Sequence, residues 1–536
     1  MTARRPALRG QRLLLALAVL LAACGEVPFL PTPQPTPEQP REVTVRVVER
    51  TTRLAVAGAR LTIGSLTGQT GADGSLLLTA MRGASVEASA DGHDPGGGQV
   101  PDAGDLEIEL RANVVSGSVT DEAGRPITGV RVFVDGSSTI AETDAAGRYT
   151  LPEVPETGTL VYKMPGHRLG VIAIDEQMTK DVALPAFEAR ALYAPAAIFE
   201  GAGRLDEMLE LIDATEVNAM VIDVKETNGN LYWATDLPAA VAVGSIMDQP
   251  LLDLAEVLPP LKERGIYTIA RLVVMKDNTM GRARPELAVQ NSATGEPWRD
   301  YGGGVWLDPY NPGVAEYIAA LAADLADRGF DEVQLDYVRF FSDGDYSVAV
   351  TNLPNTQSFR LPAIRRLFRL VSEALETRRA FLGADVFPIS FIAPDDQGIG
   401  QRPEVIMPFV DYFCPMVYPS HYGPGTFGFA VPNDYPYEVI DATLKIMNEQ
   451  RSGLRMVIRP WIQDFGYGPF PPYSASQVLA EMQAASDNGA HGWMIWNAAA
   501  RFTGGALGPP REGEASAPVT SAQPLTSPSA SPTTTP

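Results

Sequence analysis

Histidine, cysteine and positive charge are scarce in this chain of 536 residues. It has four histidines and two cysteines, and its 42 lysines and arginines face 65 aspartates and glutamates, for a net charge of −23. Nucleic-acid binding needs a basic surface that neutralises phosphates, so we expect no nucleic-acid partner. The sequence also lacks a P-loop, so we expect no nucleotide and no cofactor.

The first of the two cysteines follows a segment with the features of a signal peptide. Residues 1–23 combine a basic start with the apolar run LLLALAVLLAA, which is too short for a typical membrane span. The end of this run, Leu-Ala-Ala-Cys, resembles a bacterial lipobox, which implies cleavage before Cys24 and a lipid on its thiol. The alternative is a plain secretory signal with a chance cysteine. We expect an extracytoplasmic protein anchored through Cys24 to the outer face of the membrane, with Cys414 as a small buried hydrophobe.

Two segments have compositions that do not favour a folded core. Residues 24–41 are rich in proline and threonine, which predicts an extended tether next to the anchor. Residues 506–536 are rich in serine, threonine, proline and alanine, and we expect this tail to bury too little apolar surface to order itself.

Residues 42–111 and 112–187 have similar patterns of short alternating strands and glycine-bearing turns. Turns such as Asp73-Gly74 and Ala146-Gly147 at this spacing predict two small antiparallel β-sandwiches. Through SGSVTDEAGRPITGVRV and TDAAGRYTLPEV, the second segment resembles the carboxypeptidase-regulatory-like domain. That resemblance implies a prealbumin-like sandwich that acts as a spacer or adhesive module, without peptidase activity.

From residue 188 to residue 505, apolar β-rich runs alternate with amphipathic helical stretches. The strand candidates are RALYAPAAIF, NAMVIDVKE, IYTIARLVVM, FDEVQLDYVRF, VFPISFIAP, DYFCPMVYP, RMVIRPWI and HGWMIWNA. Eight such units predict a TIM (β/α)8 barrel. An open doubly wound sheet is the alternative, but no glycine-rich nucleotide fingerprint follows the first strand.

Such a barrel carries its active site at the C-terminal ends of its strands. The charged and aromatic candidates at those ends are Asp223, Lys225, Glu226, Arg271, Asp336, Arg339, Tyr418, His421, Trp461, Asp464 and Trp496. Aromatic rings can stack on the C–H faces of sugars, and glycosidic cleavage requires two carboxyl groups. The set therefore favours a cell-surface glycoside hydrolase that acts on a polysaccharide or other glycan.

The small number of histidines limits the kinds of catalytic site that this chain can form. Only His421 lies near the predicted site, because His93 and His167 fall in the β-rich segments and His491 begins the last strand. A histidine-rich zinc site is excluded by this count, so we expect no metal. A Ser-His-acid triad would have to use His421, and no nucleophile-elbow motif accompanies it.

Residues 191–500 resemble a bacterial family of proposed glycoside hydrolases, described as a domain of unknown function. The resemblance lies in NAMVIDVKETNGNLYW, FDEVQLDYVRF, CPMVYPSHYGPGTFG and GWMIWNA. It implies a TIM barrel distantly akin to α-amylase-type hydrolases, and by that analogy Asp336 on strand 4 is the nucleophile. The analogy also expects an acid at the end of strand 5, where this chain has SFIAPDDQG with Asp395 and Asp396.

We predict that Asp336 is the nucleophile or base and that Asp464 is the acid, with Glu226 as second choice. Aromatic or apolar neighbours would raise the pKa of either acid candidate by desolvation. We expect the following residues to hold Asp336 ionised or to bind substrate: Asp223, Lys225, Arg271, Arg339, Tyr418, His421, Trp461 and Trp496.

Structural alternatives accompany these assignments. Asp336 and Arg339 could form an ion pair at the barrel rim, and the charges near Asp223 could form a structural network. Trp461 and Trp496 could cap the core. For the whole protein, the alternative is a non-catalytic glycan-binding or envelope-scaffolding lipoprotein, which the missing acid at strand 5 favours.

Overall fold

The computed structural model describes residues 39–201, 203–511, 518 and 520. Cys24, the signal peptide, most of the predicted tether and most of the predicted tail therefore lie outside the described residues. Within the described ranges, no helix is both long enough and apolar enough to cross a membrane. The described chain forms two compact units, one comprising residues 39–90 with 95–110 and the other residues 91–94 with 111 onward.

The first unit contains two small sheets. Its strands are β1 (Arg41–Glu49), β2 (Arg60–Ile63), β3 (Leu66–Gln69), β4 (Ser75–Ala80), β5 (Ser85–Ser89), β6 (Gly96–Gln99) and β7 (Leu106–Leu110). They are ordered β4-β1-β7 and β3-β2-β5-β6. Val43, Val45 and Val47 alternate with polar or exposed residues along β1, and they join buried side chains of the other sheet in one hydrophobic cluster.

The second unit begins with another β-rich region. Its strands are β8 (Val115–Thr120), β9 (Arg131–Val134), β10 (Ile140–Glu142), β11 (Arg148–Leu151), β12 (Thr159–Lys163), β13 (Gly170–Ala173) and β14 (Val182–Ala183). They form sheets ordered β10-β9-β12-β13 and β11-β8-β14. The predicted antiparallel pattern is incomplete, because β1 pairs with β7 and β8 pairs with β14 in parallel. Residue alternation cannot reveal such pairs, since it is the same in both orientations.

A large parallel sheet occupies the rest of the second unit. Its region contains β15 (Ala189–Ala194), β16 (Ala219–Lys225), β17 (Tyr267–Val273), β18 (Gln290–Asn291), β19 (Glu332–Asp336), β20 (Ala349–Val350), β21 (Phe381–Val386), β22 (Tyr412–Pro415), β23 (Val457–Ile458), β24 (Trp461–Gln463) and β25 (Gly492–Trp496). β18 and β20 pair separately. The others run in the order β23-β22-β21-β19-β17-β16-β15-β25-β24. Only Arg459 and Pro460 separate β23 from β24, so the two edges meet and the sheet is barrel-like.

Helices connect successive strands of this sheet, as the alternating pattern predicted. They are α1 (Arg204–Asp213), α2 (Pro238–Val243), α3 (Leu254–Glu263), α4 (Asn278–Ala283), α5 (Pro312–Asp327), α6 (Gln357–Leu375), α7 (Ile389–Ile392), α8 (Pro403–Ile406), α9 (Pro436–Gln450) and α10 (Ala475–Asp487). Strand side chains alternate between the helix layer and the interior. On β19, for example, Val333 and Leu335 join the cluster that contains the helices, while Gln334 contacts Met494 across the interior.

The β-rich region of the second unit covers the N-terminal end of this barrel-like sheet. Val161 and Leu169 join an apolar cluster with Tyr267 and Tyr412, which begin β17 and β22. The amide N–H of Gly166 donates to the Tyr412 hydroxyl at 3.2 Å. The opposite end, where the strands finish, therefore remains available for a site.

A buried ion pair lies inside the sheet near its N-terminal end. Arg459 donates to the Glu332 carboxylate, and neither residue is exposed. Burial raises the pKa of Glu332, and Arg459 opposes the shift. Tyr267 donates a further hydrogen bond to Glu332 at 3.2 Å, and the Arg459 guanidinium lies 4.2 Å from the Tyr412 ring centroid.

Replacement of Glu332 with Gln should lower the free energy of unfolding by about 3–5 kcal/mol, because it leaves the Arg459 charge buried without its carboxylate. Urea unfolding of the full chain measures this change. Asp213→Asn is the matched control, since it removes an acid from the exposed ion pair with Arg264 and should cost less than about 1 kcal/mol. Equal effects of the two substitutions would contradict the importance of the buried pair.

Candidate active site

A cavity of about 510 Å³ opens at the C-terminal ends of the parallel strands. It contains seven of the residues that the sequence predicted for the site and adds Asp385 from β21. Its ionisable and aromatic lining residues are Arg271, Asp336, Tyr337, Arg339, Asp385, Phe387, Tyr418, His421, Tyr422, Trp461 and Trp496.

Asp336 is the last residue of β19, and hydrogen-bond donors surround its carboxylate. Oδ2 accepts from Arg271 Nε at 3.0 Å and Nη2 at 2.5 Å, while Oδ1 accepts from the Tyr337 N–H at 2.6 Å. Tyr337 has a φ of 52°, which is uncommon for a bulky residue and marks a sharp change of direction after the strand. The Asp336 carboxylate therefore accepts three hydrogen bonds, two of them from a cation.

Arg271 joins two carboxylates at the base of the cavity. Its Nη1 contacts Asp223 at 2.5 Å, while Glu226 lies farther away at 3.8 Å. Burial raises the pKa of Asp223 to about 7, although Arg271 opposes the shift, and Tyr193 donates a hydrogen bond to the same carboxyl group. Burial alone would lower the pKa of Arg271, but Asp223 and Asp336 outweigh it and raise the pKa well above its ordinary value.

Asp385 is the carboxyl group that the sequence analysis missed. VFPISFIAP was predicted to be strand 5, but the strand is Phe381–Val386, and Ile389–Ile392 is a short helix. Leu335 pairs with Ala384, so the next residues, Asp336 and Asp385, occupy neighbouring positions on adjacent strands. Adjacent strands lie about 4.8 Å apart.

The environment of Asp385 favours its protonated form. The residue is 1% exposed, and the Trp461 indole N–H donates to its Oδ1 at 2.6 Å. Burial, followed by the nearby Asp336 carboxylate, raises the pKa of Asp385 well above its ordinary value. Arg271 and the Trp461 hydrogen bond oppose this shift. The cavity thus combines a carboxylate that accepts three hydrogen bonds, Asp336, with a carboxyl group whose protonated form burial favours, Asp385.

The aspartates that the sequence offered for strand 5 lie elsewhere. Asp396 forms two hydrogen bonds with Arg360, each of 2.7 Å. Asp395 is exposed, and its carboxylate accepts from the Gln397 N–H at 3.0 Å. Neither residue lines the cavity.

Asp464, the predicted acid, also does not line the cavity. The backbone N–H and the hydroxyl of Thr503 each donate to its carboxylate at 2.7 Å, so Asp464 fixes the loop after β25. Burial raises its pKa, as predicted, but it does so away from the cavity lining. Glu226, the second choice, is half-buried and likewise does not line the cavity.

Lys225 lies away from the predicted site. It is fully buried, and its Nζ contacts the Val273 carbonyl at 2.8 Å and the Asp277 carboxylate at 3.1 Å. The pairing register shifts between Asp223 and Lys225, which breaks the simple alternation along β16. Lys225 therefore belongs to a structural network of charges, which was the alternative to a role in the site. Asp223, in contrast, contacts Arg271, which lines the cavity.

The predicted aromatic residues do line the cavity. Trp496 packs against Tyr193 with a centroid distance of 4.0 Å and an angle of 36° between the rings, and it meets Trp461 edge-on at 5.6 Å. His421 stacks on Tyr467 at 4.3 Å, and burial lowers its pKa, which favours the neutral ring. The Tyr418 ring is buried in the cavity wall.

Arg339 lines the cavity, and it does not form the rim ion pair with Asp336 that was the structural alternative. Its Nη1 donates to the Phe340 carbonyl at 3.1 Å and to Ser342 Oγ at 2.9 Å. Within the described ranges, no cluster of His, Cys, Asp and Glu suited to a metal ion was found. In the Ser342–Asp345 turn, the Asp345 carboxylate accepts hydrogen bonds from the N–H and hydroxyl of Ser347.

Comparisons with known proteins identify two regions of the chain. Residues 191–502 match the family described as "Putative glycosyl hydrolase domain", and residues 114–184 match the carboxypeptidase regulatory-like domain. No curated protein matches the chain.

Several solved structures resemble parts of the chain. A hypothetical protein from Ruminiclostridium thermocellum ATCC 27405 is 30% identical over 36% of this chain and 97% of that chain, with a TM-score of 0.32. The PgaB (BpsB) glycoside hydrolase domain from Bordetella bronchiseptica is 13% identical over 58% and 94%, with a TM-score of 0.42. A chitinase from Chromobacterium violaceum ATCC 12472 is 13% identical over 60% and 96%, with a TM-score of 0.33. The first family match spans more than half of the chain, so this protein belongs to that glycosyl hydrolase domain family, with a carboxypeptidase regulatory-like domain before it.

Proposed function

We propose that this protein is a glycoside hydrolase in which Asp336 and Asp385 are the two catalytic carboxyl groups. The observation that carries the proposal is their pairing at neighbouring strand ends in one cavity, where three hydrogen-bond donors contact Asp336 and burial favours protonated Asp385. Glycosidic cleavage needs an acid together with a nucleophile or base.

Asp385 acts as the acid in this proposal. Trp461 occupies its Oδ1, and no described residue donates to Oδ2, which leaves that oxygen to carry the proton. Transfer of this proton to the glycosidic oxygen allows the leaving sugar to depart as an alcohol. Asp336 then stabilises the positive charge at the anomeric carbon, either by bonding to that carbon or by activating water.

Asp385 also supports catalysis over the non-catalytic alternative. That alternative was favoured by the missing acid at strand 5, and Asp385 supplies a carboxyl group on that strand.

We also propose that the barrel-like sheet is a TIM barrel and that the two preceding β-rich segments are prealbumin-like sandwiches. Their paired small sheets with common hydrophobic clusters support this assignment.

The substrate in this proposal is a polysaccharide or related glycan. Trp496 and Tyr418 present rings at the cavity, where they can stack against the C–H faces of a sugar. Arg271 holds Asp336 in position through two hydrogen bonds to its carboxylate. Asp223 positions Arg271 rather than contacting the sugar.

Asn substitutions should separate the roles of the two carboxyl groups. Asp336→Asn should abolish turnover while preserving glycan binding, because it keeps the shape but removes the negative charge. Asp385→Asn should slow polysaccharide cleavage by about 10²–10⁴-fold, with a smaller loss for aryl glycosides, whose leaving groups need less protonation. Initial rates of both variants on matched aryl and unactivated substrates measure this difference.

Two further variants serve as controls for these rates. Asp395→Asn makes the same chemical change at an exposed position and should keep wild-type rates. Asp464→Asn tests the sequence-based acid assignment. A leaving-group-dependent loss in Asp464→Asn, together with normal rates in Asp385→Asn, would overturn the role of Asp385.

The protonation of Asp385 also predicts a pH-dependent stability. A carboxyl group whose folded pKa exceeds its unfolded value of about 3.9 contributes stability that is complete at low pH and is lost as pH rises through the folded pKa. Asp385→Asn cannot ionise, so its melting temperature should gain on that of wild type as pH rises. Thermal unfolding between pH 5 and 9 measures the difference, and Asp395→Asn should show a constant offset. A pH-independent difference for Asp385→Asn would show that Asp385 is ionised throughout this range.

We further propose that the protein is a lipoprotein anchored through Cys24 to the outer face of the membrane. The signal-like residues 1–23 and the lipobox-like end at Cys24 support this localisation. Cells that express the full chain should incorporate labelled fatty acid into the wild-type protein and into Cys414→Ala, but not into Cys24→Ala. Equal labelling of Cys24→Ala and Cys414→Ala would contradict the proposed lipid attachment at Cys24.

A further inference from the structure

The cavity contains a buried cation that is left without an acidic partner. Arg339 is 8% exposed and lines the same cavity as Asp336. Among the described residues, no carboxylate lies within ion-pair distance of its guanidinium. The neighbouring cations differ, because Arg271 contacts Asp223 and Asp336, and Lys276 contacts Asp300 at 2.6 Å.

The protein holds Arg339 from one side only. Both of its hydrogen bonds to described residues use Nη1, which contacts the Phe340 carbonyl and Ser342. Nε and Nη2, which share the other edge of the guanidinium, bond to no described residue, and neither atom is sealed from solvent. This edge presents two parallel N–H donors, which match the two oxygens of a carboxylate.

Aromatic rings orient the guanidinium without neutralising it. Its central carbon lies 4.8 Å from the Trp306 ring centroid, 5.1 Å from that of Tyr337 and 5.0 Å from that of Phe387. Burial lowers the pKa of Arg339, and the Asp336 and Asp343 carboxylates, which lie beyond ion-pair distance, only partly oppose the shift. A desolvated cation without a counter-ion in direct contact destabilises the free protein, and an anionic ligand would relieve that cost.

We propose that Arg339 binds the carboxylate of a uronic acid unit, so that the substrate class is a uronate-containing polysaccharide. The inference rests on the proposed glycosidase function, because Arg339 and Asp336 share one cavity and the bound unit would lie next to the bond that is cleaved. A carboxylate suits the free Nε and Nη2 edge better than a neutral hydroxyl, since both of its oxygens accept charge-assisted hydrogen bonds. Arg339 is thus a specificity-determining residue.

The test compares uronate polysaccharides with their carboxyl-reduced forms, which keep each linkage but carry no charge. Polygalacturonate, alginate, hyaluronan and heparosan form the panel. Calorimetry with the full-length Asp336→Asn protein measures binding, and the wild-type protein measures hydrolysis. At least one uronate polymer should bind about 10–100-fold more tightly than its reduced form, the range expected for charge-assisted hydrogen bonds.

Variants of Arg339 show whether this residue causes the preference for the uronate polymer over its reduced form. Arg339→Gln should remove it by weakening binding of the uronate polymer while leaving the reduced polymer unchanged. Arg339→Lys keeps the charge but loses the two parallel donors, so it should retain only part of the preference. Arg284→Gln, in an exposed ion pair with Glu286, is the matched control and should behave as wild type. Thermal unfolding checks that each variant is folded.

The outcomes separate this inference from the proposed function. Arg339-dependent binding of a uronate polymer without any hydrolysis would support the inference and count against the glycosidase. Equal hydrolysis of charged and carboxyl-reduced polymers would overturn the inference alone. An equal loss of affinity for charged and reduced polymers in Arg339→Gln would do the same. Failure of every uronate polymer to bind would also overturn it. Binding of a sulfated, carboxyl-reduced polymer in place of uronates would assign the arginine to sulfate and overturn the carboxylate.

Discussion

The contact between Arg271 and two carboxylates is the interaction on which the cavity depends. Asp223 and Asp336 come from the strands on either side of β17, and the guanidinium lies between them. Without this cation, the acidic groups at the strand ends would repel one another in a poorly solvated interior. With it, Asp223 and Asp336 each have a cationic partner, while burial and the Asp336 carboxylate raise the pKa of the neighbouring Asp385.

The two arginines of the cavity therefore differ in electrostatic role. Arg271 is neutralised within the protein and organises the acidic residues. Arg339 contacts aromatic rings and, among the described residues, forms no ion pair, so its free donors remain available to a ligand. The surface of a chain with net charge −23 gives polyanions no general attraction, so recognition of an acidic sugar would depend on this local contact.

The sequence predicted the parts of the site that follow from strand alternation. Asp336 and Arg271 could be located because each lies on the interior face of a continuous apolar strand. Asp385 was missed because the apolar run continues beyond its strand into a helix, so the strand was placed too late. Asp464 and Lys225 were misplaced because their partners cannot be read from local sequence. Asp464 binds Thr503, which lies 39 residues further along the chain. Lys225 follows a shift in strand register and contacts Asp277.

The carboxypeptidase regulatory-like region has a consequence for how a ligand can reach the cavity. Its side chains cover the N-terminal end of the parallel sheet, where Tyr267 and Tyr412 join the shared apolar cluster. The interior above that cluster is filled by side chains such as Gln334 and Met494, so the cavity opens only at the C-terminal ends of the strands. A long polymeric ligand would therefore have to lie across this opening, and anything released from the cavity would have to leave by the side on which it entered.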